Sequence, residues 1–109
     1  MKLVIIESPY AGDIEANTAY ARLCMRDSLE RGEAPIASHL LYTQPGILRE
    51  EVQSEREWGI AAGLAWRKVA ELSAFYIDRG WSKGMLAAKE LLEREGRLFE
   101  ERSLKEPER

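Results

Sequence analysis

The sequence predicts an α/β fold, a three-layer α/β/α sandwich around a small parallel sheet of about four strands with about three helices. Three observations carry that prediction. Short apolar runs alternate with helix-length amphipathic segments in the order β-α-β-α-β-α-β. The first run, "KLVII", is apolar throughout and β-branched at Val4, Ile5 and Ile6, as in a strand covered on both faces. Each later strand follows a helical crossover, which implies parallel pairing.

The first strand leads into "ESPYAGD", a loop rich in turn-forming residues. Ala16, Ala19, Tyr20, Leu23 and Cys24 then recur at steps of three and four, marking an amphipathic helix that ends near Arg31, with Gly32 suited to a left-handed cap. "APIASHLLY" reads as the second strand, with Pro35 confined to its start or to an edge. Pro45-Gly46 marks a turn, and Ser54 to Glu57 has capping-box spacing for the second helix. Gly59 and Gly63, one turn apart in that helix, suggest the close approach of a neighbouring backbone. "AFYI" is the third strand, Met85 to about Glu95 the third helix with Gly96 as its stop, and Arg97 to Leu104 a fourth, edge strand. We expect one domain over residues 1–104 and a frayed tail over 105–109.

Composition narrows the function. The 109 residues include 16 basic and 19 acidic side chains, a net charge of −3, which argues against binding a DNA or RNA polymer through its phosphates. The one cysteine, Cys24, allows no intramolecular disulfide and reads as a small buried residue. The longest apolar run, "GIAAGLAW", is far short of the roughly 20 residues that span a bilayer, and the N-terminus shows no signal-peptide cleavage pattern. A reducing cytoplasm is the expected location. No metal cluster is expected with a single His and a single Cys, and no cofactor motif appears: neither the P-loop nor the dinucleotide fingerprint is present.

In a parallel sheet, ligands bind at the carboxyl ends of the strands, so the candidate site lies in two loops. Ser8, Pro9, Tyr10, Gly12 and Asp13 follow the first strand; Asp78, Gly80, Trp81, Ser82, Gly84 and Met85 follow the third. Each loop opens a helix whose free N–H groups favour an anion. Tyr10 and Trp81 offer faces for a planar ring, or cover the ends of the core. Asp78 suits a ribose hydroxyl, acid–base work or an Asx-turn; Asp13 and Ser82 suit helix caps. His39 lies near the end of the second strand, and Arg56, in the first turn of the second helix, faces either an anionic ligand or an exposed ion pair.

With Asn17 on the first helix, "SPYAGD" and "DRGWSKGM" resemble the nucleoside 2-deoxyribosyltransferase-like superfamily, especially its short members common in phages and bacteria. The resemblance covers most of residues 3 to 95. It implies a flavodoxin-like fold, a nucleoside or nucleotide ligand and a homo-oligomer of two or more copies, in the host cytoplasm if the gene is a phage's. In the superfamily's enzymes a glutamate on the helix after the serine–glycine loop forms a covalent glycosyl-enzyme. The matching position here is Ala88, which cannot attack, and Glu90 would lie roughly 200° round the helix. Glu7 and Asp78 are the remaining carboxylates expected near the cleft. The expected function is therefore non-catalytic capture of a nucleoside, a nucleotide or a nucleotide-derived signal. The alternatives are an enzyme acting on an N-glycosidic bond through Glu7 or Asp78, and a structural or protein-interaction module.

Overall fold

A computed structural model describes residues 1–105; the tail expected to fray otherwise lies outside the described residues. The elements are β1 (Leu3–Glu7), α1 (Ile14–Glu30), β2 (Ala34–Ile36), α2 (Gln53–Arg67), β3 (Leu72–Tyr76), α3 (Lys83–Glu95) and β4 (Phe99–Arg102), with a 3₁₀ turn at Ser38–Leu40. All strand pairs are parallel and the spatial order is β2-β1-β3-β4, the predicted flavodoxin-like α/β arrangement.

Strand alternation divides the core in two. Val4, Ile6, Leu72, Ala74 and Tyr76 face α1, where they meet Tyr20 and Cys24. Phe75 points to the other face and packs on Met85, Ala88 and Leu92 of α3. That second face is shared with α2, whose Arg67 reaches Glu7 at the end of β1. The helix ends follow their local chemistry. Asp13 accepts the Ala16 N–H, Ser82 accepts the Met85 N–H, and Gly96 closes α3 at φ 67°.

Three sequence expectations are corrected. The second strand stops at Ile36, because the chain bends into the 3₁₀ turn, with the Leu40 N–H on the Ala37 carbonyl. His39 is thus on a turn and not at a strand end. Ser54 lies inside α2 rather than capping it: the helix begins at Gln53, and Glu55 turns back to accept the Arg49 N–H. The neighbours of Gly59 and Gly63 are the side chains of Leu48, Tyr42 and Ser38, not a backbone.

Candidate functional site

The order β2-β1-β3-β4 reverses direction between β1 and β3, and a crevice of about 360 Å³ opens there, between α2 and α3. Glu7 and Ser8 form its floor. Ser38 and His39 come from the 3₁₀ turn, Ile60, Gly63, Leu64 and Arg67 from α2, and Ser82, Gly84, Met85, Ala88 and Leu91 from the start and inner face of α3. Apolar walls therefore surround a small polar floor. A second hollow of about 210 Å³, at the opposite end of β1 and β2, has only apolar and indole side chains for walls.

Ser8 is 2% exposed, yet its hydroxyl makes no hydrogen bond. No polar atom sealed from solvent lacks a partner among the described residues, so this hydroxyl opens on the crevice. Beside it, Arg67 brings Nε and Nη2 to the same Glu7 oxygen, 2.7 Å each. Burial still raises the Glu7 pKa above the ordinary carboxylate value despite the pull of Arg67. The His39 ring stacks on Tyr10 with centroids 4.9 Å apart. Burial, and after it the Arg67 charge, pushes His39 down to about 4, so its imidazole is neutral at pH 7.

Of the residues singled out by sequence, the crevice gathers Glu7, Ser8, His39, Ser82, Gly84, Met85 and Ala88. Tyr10 acts at one remove, through the His39 ring. The others lie elsewhere. Asp78 is on the α1 side, where it accepts hydrogen bonds from Tyr20, Ser103 and the Leu104 N–H. Burial pushes its pKa upward, but those bonds, Ser103 and Tyr20 foremost, hold it at about 2. Asn17 is a brace: its amide donates to the Tyr10 and Ala11 carbonyls and its oxygen accepts from Arg79, tying the two loops together. Trp81 lies on Phe75, centroids 5.0 Å apart, under the Lys89 ammonium. Gly12 and Gly80 take positive φ in their turns, Pro9 is buried, and Asp13 serves as a cap. Arg56 pairs with Glu50 at 3.5 Å beside a smaller hollow, the exposed ion pair that the sequence left open.

Arg67, Leu64, Ile60 and Ser38 were not anticipated as site residues. A signal existed for three of them: 60, 63, 64 and 67 share one helical face, and that face ends in a cation after a run of purely apolar residues. Among the described residues no three His, Cys, Asp or Glu side chains group to hold a metal, and no helix is long and apolar enough to cross a membrane.

Residues 2–102 match the family described as Domain of unknown function (DUF7768). No curated protein and no solved structure matches the chain.

Proposed function

We propose that this chain, which belongs to the DUF7768 family, is a non-catalytic binding protein that captures a nucleoside or nucleotide in the crevice between α2 and α3. The observation that carries this reading is Ser8, a buried hydroxyl without a partner that opens on the crevice at the switch point of the sheet. A ligand with a flat ring and several hydroxyl groups matches such a lining. Ser8, Ser38 and neutral His39 supply polar contacts, and Ile60, Leu64, Met85 and Leu91 supply apolar faces. A phosphate, if the ligand carries one, suits the first turn of α3, where free N–H groups and the helix dipole favour an anion. The volume, about 360 Å³, falls in the range of roughly 300–1,000 Å³ usual for small-molecule sites. Sequestering a nucleotide-derived signal is one biological form of such capture, since it needs no turnover.

Glu7 is the observation that favours the second reading, an enzyme cleaving an N-glycosidic bond. It is a buried carboxylate with a raised pKa on the crevice floor. A retaining mechanism calls for two carboxyl groups about 5 Å apart. Glu7 is the one carboxylate lining the crevice among the described residues, and one of its oxygens is already engaged by Arg67. Binding is therefore the better-supported reading.

The test is to incubate the purified chain with a panel of nucleosides, nucleotides and cyclic nucleotides, read the melting temperature, and identify the small molecules released on denaturation by mass spectrometry. We expect one ligand to raise the melting temperature and to return intact. Ser8→Ala should weaken that ligand about five-fold or more while leaving the apo melting temperature unchanged. A free base or exchanged nucleoside, lost in Glu7→Gln, would establish the enzyme instead. A panel without any shift would overturn both readings.

A further inference from the structure

The nine residues from Trp58 to Trp66, "WGIAAGLAW", carry no charged, hydroxyl or amide side chain. Over about two and a half turns, α2 is thus apolar on every side. A helix of that kind belongs in an interior. Yet not one residue of α2 is buried. Its inner flank is accounted for by the crevice, through Ile60, Leu64 and Arg67, and one side lies along Tyr42 and Leu48, through Ala62. What remains is an outward stripe of Trp58, Ala61, Ala65 and Lys68, at steps of three, four and three, exposed throughout. Trp58 alone is 69% exposed.

We propose that this stripe is the contact of a two-fold homodimer in which the α2 helices of two copies pack antiparallel. The sequence of the stripe is complementary to itself in that arrangement. About the two-fold axis, Ala61 of each copy faces Ala65 of the other, so small side chains at the centre let the helix axes come close. The same register sets Trp58 against Lys68 of the second copy. Among the described residues the Lys68 ammonium has no hydrogen bond or ion pair, and it would lie over an indole face. The charges at the helix ends agree. Glu50, Glu51, Glu55 and Glu57 outnumber Arg49 and Arg56 at the start of α2, and Lys68 follows its end, so antiparallel packing sets the acidic end beside a free cation and parallel packing sets like beside like. A stable interface needs roughly 800 Å² from each partner. Ile47 and Val69, both more than half exposed, widen the stripe toward that area.

Sedimentation velocity on the full chain, from low micromolar to near-millimolar concentration, tests the pairing. We expect the wild type to reach a dimer and no larger species. Ala61→Glu places a good helix former on an exposed position, so circular dichroism should stay unchanged, while the buried carboxylate raises the dimer dissociation constant about thirty-fold or more. Trp58→Lys should also weaken association, and Trp58→Lys with Lys68→Trp should recover it, because the swap keeps the same pair across the axis. A wild type that stays monomeric, a larger assembly, or a dimer indifferent to Ala61→Glu would overturn the proposal. A swap that recovers nothing would overturn the antiparallel register.

Discussion

Ser8 and Asp78 follow neighbouring parallel strands, and both are short polar residues at the sheet's ligand-binding end. The sheet separates them. Ser8 opens on the crevice between α2 and α3, while Asp78 turns toward α1 and takes hydrogen bonds from Tyr20, Ser103 and the Leu104 backbone. Two acceptor atoms on one carboxylate thereby join the first helix to the segment after β4. Asp78→Ala removes all of these bonds together, and should cost about 1–2 kcal/mol of unfolding free energy, discounted for its partial exposure. The check is urea unfolding beside ligand titration: we expect a lower midpoint with ligand affinity unchanged. An unchanged midpoint with lost affinity would return Asp78 to the site. Arg67 shows the converse, a residue whose role no loop motif announces. Its guanidinium meets Glu7 from far along the chain, and only the folded sheet brings the two together.

At the level of elements, α2 differs from its neighbours. α1 and α3 each bury a stripe on the sheet, whereas α2 touches it mainly through Arg67 and leaves hollows on both flanks. Gly63 lies on its crevice side, and a Cβ there would meet Ser38 at 3.5 Å, an ordinary contact. Gly63→Ala should therefore raise stability by about 0.5–1 kcal/mol through helix propensity alone. The added methyl would narrow the crevice, so the same variant should bind ligand less well. Denaturation and titration of one preparation read both effects, and a destabilised variant would mean that the Ser38 turn cannot accept the contact. This contrast also explains what was legible in sequence. β1, β3, α1 and α3 were readable because apolar period, caps and terminal glycines agree locally, as at Asp13, Ser82 and Gly96. "ASHLLY" misled because its apolar residues pack from a turn: Leu40 joins the α1-side core without any strand. The loops told where a site belongs, and Ser8 and Ser82 followed from that, whereas His39 reaches the crevice from the turn and not from the strand end expected for it. The opposite wall, set by the placement of α2, was not written in any local pattern.

Over the whole molecule, ionisable groups bind the sheet edges to the helices, and their pKa values set how stability responds to acid. Arg102, 3% exposed at the end of β4, takes both oxygens of Glu33 and also donates to Tyr76, whose hydroxyl donates to Asp27 on α1. Arg102 lowers the pKa of Glu33. For Asp27, burial pushes upward, but Tyr76 and Arg31 prevail and the pKa falls. A carboxylate with a depressed folded pKa binds fewer protons in the native state, so its contribution is complete above the unfolded value and is lost as pH falls through the folded one. For Asp78 that window runs from its ordinary 3.8 down to about 2. His39 acts at higher pH with the same sign. The unfolded imidazole takes a proton near 6.5 and the folded one only near 4, so the native state loses stability on acidification across that interval. Glu7, with its raised pKa, opposes the trend, because its native form accepts a proton more readily than the unfolded chain does. The expected profile has two limbs: a gentle fall from about pH 6.5 to 4 owed to His39, then a steeper one below it owed to Asp27, Glu33 and Asp78. Chemical denaturation at a series of pH values measures it. In His39→Gln the upper limb should flatten while the lower limb stays, since the glutamine amide cannot titrate and the carboxylates keep their partners. An upper limb that survives the substitution would overturn His39 as its cause, and Glu7 could not replace it, because its raised pKa works in the opposite direction.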